Sequence, residues 1–321
     1  MILTVTLNPL LERRFTFSSI NLSSVNRGGK LVLKPGGKGI NVSRQLSVFS
    51  LPNLAFSFFG GLNGKMLKSL LEKENIKCTF LKSAYETREA SIILNESDRT
   101  ILTFFSEDPQ ITSNEADGFL DKLKKIIQTA EIVILSGSSP CRNTDHVYPE
   151  AIKIANRFDK ITICDTYGAH LKDCIESAPT IIHNNIDEIN SSLENKPDSE
   201  SGIINFLDYL YSHEIKQAFI TDGGKDSYAS NFDYFYKVKN AMIETVDETG
   251  SGDAFVAGIA YGWYHNYSFE MMLRFASAFG TLNAASFDVC NVQLNEAGKI
   301  IDKINISPLG KKMNLLDVTP K

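Results

Sequence analysis

From residue 115 onward, the sequence alternates between helical patterns and short apolar strands. The helical patterns cover 115–130 and 147–158, and the strand patterns cover 132–135, 161–165, 180–183 and 217–221. Parallel strands need a crossover between them, and a helix is the usual crossover. The alternation therefore predicts an α/β fold with a mostly parallel central sheet covered by helices. Ligands of such sheets bind beyond the carboxyl ends of the strands.

Small and polar residues follow four of the predicted strands. They are the run Ser136-Gly137-Ser138, then Asp165, then Asn185 with Glu188, and then Thr221 with Gly223. Because the carboxyl ends of parallel strands meet at one edge of a sheet, we expect these residues to surround a single site.

The first third of the chain has a different pattern. Short segments at 15–17, 31–33, 91–94 and 100–104 alternate apolar and polar residues, which is typical of strands with one solvent-exposed face. The last two flank the polar turn N-E-S-D and predict a hairpin. We place these strands outside the parallel sheet, in a small β-sheet lid made of segments at about 12–34 and 86–107. We expect residues 1–321 to form a single domain.

The stretch from Val246 to Trp263 predicts an anion-binding loop that opens a buried helix. Gly250, Ser251 and Gly252 precede an apolar run with helical spacing. The start of a helix presents unpaired N–H groups and the positive end of the helix dipole, and glycines let a phosphate approach both. Asp253 has two interpretations, since an acid at this position either caps the helix or takes a proton from an attacking hydroxyl.

Composition excludes several classes of function. The net charge of −5 argues against a broad nucleic-acid-binding face, and no apolar run reaches the ~18 residues that a membrane span needs. The N-terminus is predicted to be a buried strand rather than a signal peptide. Five cysteines without metal-site spacing indicate reduced thiols and a cytoplasmic protein.

Two glycine segments together resemble the paired signatures of the PfkB carbohydrate kinase family. They are P-G-G-K-G-I-N-V-S-R at 35–44 and T-G-S-G-D-A-F-V-A-G at 249–258. Shorter motifs follow in family order, namely T-L-N-P at 6–9, V-N-R at 25–27, E-T-R at 86–88, S-G-S at 136–138 and N-x-x-E at 185–188. The residues of the first motifs are similar to those of the branch that contains 1-phosphofructokinase and tagatose-6-phosphate kinase. The resemblance implies a ribokinase-like three-layer α/β/α fold.

The resemblance also implies a role for each residue on the nucleotide side. Asp253 would be the base, and the backbone of Gly250, Ser251 and Gly252 would hold the transferred phosphate. Positions that match contacts to ATP are His183, Asn185, Thr221, Gly223 and Asn283. Asn185 and Glu188 would govern Mg²⁺, through water, and Asp247 and Thr249 would help to bind K⁺.

On the sugar side, the matching positions are Glu12, Arg27, Gly37, Lys38, Asn41, Arg88 and Ser138. Lys38, Arg88 and Arg27 would supply the local cations that an acidic protein needs to hold a sugar phosphate, because a guanidinium can bind phosphate with two hydrogen bonds. The alternative is that both arginines are lid-surface residues in water.

Three departures from the family pattern leave the function open. Glu12 replaces an Asp, Ala90 replaces an Asn, and His183 replaces a Lys. The leading hypothesis is an ATP- and Mg²⁺-dependent kinase of fructose 1-phosphate, with tagatose 6-phosphate as the alternative substrate. A sugar-phosphate-binding protein that has lost catalysis is a further alternative, and a kinase of an unphosphorylated sugar or nucleoside is the least favoured. The expected partners are therefore small molecules and a second copy of the chain, in a homodimer formed through the lid.

Overall fold

The fold is built from two separate β-sheets, which we describe from a computed structural model of residues 1–194 and 196–311. The strands of the central sheet are β1 (Ile2–Thr6), β4 (Asn53–Gly60), β5 (Cys78–Ser83), β8 (Ile132–Ser136), β9 (Ile161–Asp165), β10 (Ile181–Asn185), β11 (Gln217–Thr221), β12 (Ser227–Asn231), β13 (Tyr234–Lys239) and β14 (Asn305–Lys311). The strands of the small sheet are β2 (Leu10–Phe17), β3 (Lys30–Gly36), β6 (Arg88–Asn95) and β7 (Thr100–Phe105).

The central sheet has the order β14-β13-β12-β11-β10-β9-β8-β1-β4-β5. The strands from β11 to β5 run parallel, and β12, β13 and β14 extend the sheet with antiparallel pairs. All five residues of β1 are buried, as expected for a strand that is covered on both faces. The predicted α/β fold with a mostly parallel sheet is confirmed.

Ten α-helices in the described ranges connect the strands. They are α1 (Lys38–Val48), α2 (Gly61–Lys73), α3 (Ser113–Ile127), α4 (Val147–Arg157), α5 (Leu171–Glu176), α6 (Ile186–Ser192), α7 (Glu200–Ser212), α8 (Ser251–Tyr264), α9 (Phe269–Ala284) and α10 (Leu294–Ala297). Two short 3₁₀ helices lie at Arg142–Thr144 and Ile301–Lys303.

Apolar side chains of the helices form a core on each face of the central sheet. Phe119 of α3 stacks on Phe56 of β4 in one core, which also contains residues of α4, α5 and α7. The other core joins α1, α8 and α9, and α8 packs very closely on α9, since a Cβ at Gly258 would lie 2.7 Å from the Cα of Ala276. The molecule therefore has helices, sheet and helices in three layers.

The sequence pattern predicted that the chain after Asp253 is helical to about residue 287, and helix covers most of this segment. The segment forms two helices, because α8 ends at Tyr264 and α9 begins at Phe269. The hydroxyl of Ser268 accepts a hydrogen bond from the Met271 N–H and so caps the second helix. The two helices pack side by side against the sheet.

The small sheet has the order β3-β2-β6-β7. Strand β2 pairs antiparallel with β3 and parallel with β6, and β6 forms a hairpin with β7. Side chains directly opposite one another share a face, so Val32, Arg14, Ile92 and Thr103 lie in one row. Among the described residues, no helix is both long and apolar enough to cross a membrane.

Candidate active site

A cavity of about 790 Å³ lies between the small sheet and the carboxyl ends of the central strands. Thr6, Asn185 and Thr221 line it at the ends of β1, β10 and β11, and Glu12 and Arg88 line it from the small sheet. The cavity brings together most of the residues that the sequence singled out. They are Glu12, Gly37, Lys38, Asn41, Arg88, Ser138, His183, Asn185, Glu188, Thr221, Gly223, Thr249, Gly250, Ser251, Gly252 and Asp253.

Two helix N-termini face this cavity. Gly37 precedes α1 and Gly250 precedes α8, and neither has a side chain that could cap the helix. Their φ angles are 119° and 79°, which glycine adopts at low cost. A Cβ at Gly250 would also lie 2.3 Å from a methyl carbon of Val289. The unpaired N–H groups of both first turns can therefore meet an anion in the cavity.

The carboxyl group of Asp253 lies between these two helix starts. Its Oδ2 accepts a hydrogen bond of 2.8 Å from Nδ2 of Asn41 on α1. Asp253 is 4% exposed, and burial raises its pKa to about 7, with the negative charge of Asp165 acting in the same direction. Lys38 and the Asn41 hydrogen bond lower the pKa of Asp253. A carboxyl group that titrates near neutral pH in a cavity is suited to general base catalysis.

Lys38 lies away from Arg88, although the sequence predicted that both would hold the same phosphate. Its Nζ is 3.2 Å from Oδ1 of Asp165 and 2.5 Å from Oε1 of Glu188. Burial opposes the charge of Lys38, but Asp165, Glu188 and Asp253 raise its pKa above the ordinary value. Lys38 and His183 in turn hold the pKa of Asp165 below its usual range, against the effect of burial. Lys38 therefore neutralises the carboxylates of Asp165, at the end of β9, and Glu188, on α6.

The N-x-x-E motif forms a capping box at the start of α6. Oδ1 of Asn185 accepts from the Glu188 N–H at 2.8 Å, and Oε2 of Glu188 accepts from the Asn185 N–H at 3.1 Å. Both residues also line the cavity. Their side-chain oxygens suit a hydrated Mg²⁺, because they can accept hydrogen bonds from its water ligands. No cluster of three or more Asp, Glu, His or Cys side chains within 1–194 and 196–311 is arranged to hold a metal directly.

His183 is buried beneath the anion-binding loop. Its Nδ1 lies 2.9 Å from Oδ1 of Asp165, and its Nε2 lies 3.3 Å from Oγ1 of Thr221. The ring stacks on Phe255, and a Cβ at Gly252 would lie 3.2 Å from its Cε1. His183 therefore links the ends of β9, β10 and β11 under the first turn of α8.

Arg88 forms the polar end of the cavity on the side of the small sheet. Its Nη1 donates to Oδ1 of Asp108 at 2.9 Å, and its Nη2 donates to the carbonyl of Asn8 at 3.1 Å. The guanidinium lies over the ring of Phe105, and its Nε is buried without a hydrogen-bond partner in the described part of the chain. Nδ2 of Asn8 joins Asp108 to Ser138. Nη1 and Nη2 each keep one further N–H, and these are the hydrogens that a ligand in the cavity can meet.

Two predicted sugar-side residues are placed differently. Glu12 lines the cavity, but its Oε2 accepts a 2.7 Å hydrogen bond from Nε of Arg14, whose Nη1 donates to the carbonyl of Phe287. Arg27 lies in the exposed segment between β2 and β3 and is not among the described residues that line the cavity.

Asn283 was predicted to contact ATP, and the structure places it behind the anion-binding loop instead. It is fully buried, its Nδ2 donates to the carbonyl of Thr249 and to Oγ of Ser251, and its Oδ1 accepts from the Cys290 N–H. Two of these hydrogen bonds hold the loop, and the third joins Asn283 to Cys290. Asp247 is also buried, and its Oδ1 accepts from the Thr249 N–H at 2.9 Å.

The far end of the cavity is open and mostly apolar. It is lined by Gly223, Gly224, Ala241, Met242, Ile243, Gly280 and Ala284. A Cβ at Gly224 would meet nothing within 4 Å, so there is room for a flat ring beside the backbone. The segment 240–245 and the partners Asn8 and Asp108 were not among the residues singled out as site residues. Only Asn8 has a signal in the sequence, since it stands in the T-L-N-P motif at the end of β1.

Comparison with known proteins places this geometry in a class. The chain superimposes on the structure of a possible 1-phosphofructokinase from Thermotoga maritima with a TM-score of 0.89 and 25% identity, over 96% of this chain and 99% of that one. It superimposes on phosphofructokinase-2 from Escherichia coli in complex with potassium with a TM-score of 0.87 and 21% identity, over 94% and 98% of the two chains. The fold is therefore of the ribokinase-like class.

The family follows from sequence similarity. The profile of the pfkB family carbohydrate kinases matches residues 12–295. The chain is also 33% identical over 313 residues to a tagatose-6-phosphate kinase of Staphylococcus epidermidis, a match that covers 95% of this chain and 99% of that protein. The chain belongs to the PfkB family of carbohydrate kinases.

Proposed function

We propose that this protein transfers the γ-phosphoryl group of ATP to a primary hydroxyl of a ketohexose monophosphate. The observation that carries the proposal is the position of Asp253, a buried carboxyl group between two uncapped helix starts, in a cavity whose small-sheet end carries Arg88. Phosphoryl transfer needs an aligned hydroxyl, a base and neutralised negative charge. The cavity walls supply Asp253 as the base, and the two helix starts and Arg88 to neutralise negative charge.

Asp253 accepts the proton of the attacking hydroxyl. Its pKa near 7 leaves it ionised above neutral pH, and Asn41 holds the carboxylate at 2.8 Å. The N–H groups of Gly250 and Gly252 face the transferred phosphoryl group, where negative charge has to be stabilised, whereas the Ser251 N–H donates to the carbonyl of Glu248. Asn283 keeps this loop in shape from behind through Thr249 and Ser251.

The nucleotide lies in the open half of the cavity, with its base over Gly223 and Gly224 and its phosphates near Asn185 and Glu188. Bound Mg²⁺ would neutralise the phosphates, and the capping-box oxygens suit a metal that keeps its water ligands. Asp247 and Thr249 stand beside the anion-binding loop, and we place activation by K⁺ there. Phosphofructokinase-2 from Escherichia coli, which shares the fold, was solved in complex with potassium, and this supports testing the effect of K⁺.

The acceptor carries a phosphate that binds Arg88, Asn8 and Ser138. The guanidinium is fixed by its ion pair with Asp108, by the carbonyl of Asn8 and by Phe105, and a phosphate can accept hydrogen bonds from the N–H groups that these partners leave. This favours a sugar phosphate over a free sugar. Tagatose 6-phosphate comes first, because the relative named for it has the higher identity, and fructose 1-phosphate comes second, on the similarity to the Thermotoga maritima structure.

The test is an assay of ADP release with Mg²⁺ and ATP, which offers tagatose 6-phosphate, fructose 1-phosphate, fructose 6-phosphate and free fructose, in K⁺ and in Na⁺. We expect turnover on a phosphorylated ketose, faster in K⁺, and a loss of about 10³-fold or more in Asp253→Asn. Arg88→Ala should raise KM for the sugar phosphate by about tenfold or more and leave KM for ATP unchanged.

Arg13→Ala is the matched control, because Arg13 lies on the small sheet and pairs with Glu89 outside the cavity. Sugar phosphate that binds without turnover would support the alternative of a catalytically inactive binding protein. An unchanged KM in Arg88→Ala would remove the argument for a phosphorylated acceptor. Equal rates in K⁺ and Na⁺ would refute the monovalent cation site.

A further inference from the structure

The side-chain amide of Asn41 has to face Asp253 in one orientation only. Its Nδ2 donates to Oδ2 of Asp253 at 2.8 Å, which favours the ionised carboxylate. An asparagine amide can rotate by half a turn and exchange its nitrogen and oxygen. The rotated amide would place its oxygen against the carboxylate and disfavour ionisation of the base.

Arg44 determines which way the amide points. It lies one turn further along α1, and its Nη1 donates to Oδ1 of Asn41 at 2.8 Å. A guanidinium has only donors, so it can bind the oxygen of the amide but not its NH₂ group. The rotated amide would be repelled at both ends, by Arg44 and by Asp253.

Arg44 is itself held in place. Its Nε donates to Oε2 of Glu74 at 2.7 Å, and its Nη2 donates to the carbonyl of Pro35 at 2.5 Å. Its side chain is 12% exposed, and Arg44 is not among the described residues that line the cavity. Arg44 therefore has no direct contact with a ligand in the cavity, and any effect on the reaction passes through Asn41.

We propose that Arg44 is a positioning residue for phosphoryl transfer, which locks the Asn41 amide so that its N–H stabilises the ionised form of Asp253. The proposal rests on the proposed role of Asp253 as the base. It extends the machinery of the reaction to a line of four side chains, Glu74, Arg44, Asn41 and Asp253, which runs from the protein surface to the reacting hydroxyl.

The charges around Asp253 make its ionisation sensitive to this amide. Lys38 on α1 favours the carboxylate, whereas Asp165 at the end of β9 and Glu188 on α6 disfavour it. The thiol of Cys290, behind Gly250, is buried and neutral, since burial raises its pKa. Asn41 and Lys38 are thus the two groups that stabilise the charge, and the loss of one has to be visible in the pH dependence.

The test compares the pH profile of kcat for the wild type, Arg44→Met and Arg44→Lys, from about pH 6 to about pH 9.5. In Arg44→Met, we expect the acid limb to move up by about one pH unit, with kcat lower by about fivefold at pH 7 and recovered at the alkaline end. KM for ATP should be unchanged. Arg44→Lys keeps one donor and should restore part of the shift.

Arg13→Met is the matched control, because it removes a partly exposed arginine of the small sheet, and its profile should follow the wild type. Glu74→Gln loosens Arg44 without cutting its bond to Asn41, and it should shift the limb in the same direction by a smaller amount. This variant decides the question if Arg44→Met does not fold.

A loss of kcat that is equal at every pH in Arg44→Met and Glu74→Gln would assign Arg44 a purely structural role and overturn the inference. The proposed function would still stand if the wild type turns over. A wild type that turns over no sugar phosphate would instead refute the proposed function.

Discussion

At the scale of single residues, Asp253 is a group whose place in the fold costs stability. It is buried, two of the three charged side chains that act on it are negative, and its pKa is raised from an ordinary value of 3.8 to about 7. A carboxyl group with a raised pKa in the folded state favours folding most when it is protonated. The contribution of the protonated group to the free energy of unfolding is complete below pH 3.8 and is lost as the pH rises through 7.

Asp253→Asn is therefore expected to stabilise the protein at alkaline pH. The gain in free energy of unfolding should be on the order of 3 kcal/mol at pH 8 and should shrink toward pH 4, because the wild-type carboxyl group is neutral there. Denaturant unfolding of both proteins at several pH values measures the difference. Asn41→Ala and other changes that remove the hydrogen bond should act in the opposite direction at pH 8. A gain that does not depend on pH would contradict this account.

The sequence predicted the residues of the site better than it predicted their partners. Asp253, Gly250 and Arg88 could be identified because short motifs surround them. The pairing of Lys38 with Asp165 and Glu188 could not, since it joins positions that are 127 and 150 residues apart. The same holds for Asn283, whose contacts with Thr249 and Ser251 depend on how α9 packs behind α8.

At the scale of secondary structure elements, the start of α8 has the most restricted backbone conformation. Gly250 has a positive φ and lies against Val289, whereas Gly224 has open space where a Cβ would be. Both glycines line the same cavity. Only the first is needed for the shape of the anion-binding loop.

The pair Gly250→Ala and Gly224→Ala tests this restriction. Gly250→Ala should cost about 1–3 kcal/mol of stability and lower kcat by about tenfold or more, because the loop has to shift away from Val289. Gly224→Ala should fold as stably as the wild type, and because Gly224 belongs to the proposed nucleotide site, its effect should fall on KM for ATP and not on kcat. Thermal unfolding and steady-state kinetics of the two variants provide the comparison. Equal effects on kcat would show that the backbone at Gly250 has no special role.

The elements themselves were only partly predictable. The pattern of strands and helices after residue 115 identified β8, β9, β10 and β11, because each is short, apolar and flanked by helices. It did not identify β4 or β5, and it could not place β1 between β4 and β8. The order of strands depends on the packing of helices across the whole sheet, which local patterns do not contain. The break between α8 and α9 was missed for the same reason.

At the scale of the whole molecule, one face of the small sheet is apolar and turned away from the cavity. Leu31, Phe15, Ile93 and Leu102 lie side by side across four strands, and Phe104 on the same face is 59% exposed. The opposite face carries the cavity-lining Ile92 and Thr103. A broad exposed apolar face is typical of a contact between protein chains. We therefore propose a homodimer formed through the small sheet.

The mass in solution tests this proposal. We expect the wild type to have about twice the 35.6 kDa of one chain, and Leu31→Asp with Phe104→Asp to shift the equilibrium toward the monomer. Phe232→Asn is the control, because Phe232 is 48% exposed in the turn between β12 and β13. Light scattering after size-exclusion chromatography distinguishes the states. A monomeric wild type, or an equal shift in the control, would refute an interface at the small sheet.

The contact between Asn41 and Asp253 also has a consequence for synthesis of the protein. The two residues are 212 positions apart, and the loop, base and supporting Asn283 all belong to the last quarter of the chain. Chains fold from the N-terminus as they leave the ribosome. The small sheet can thus assemble early, while Asp253, the proposed base, arrives late. With Asp253 in that role, a nascent chain cannot transfer a phosphoryl group until almost all of its fold is in place.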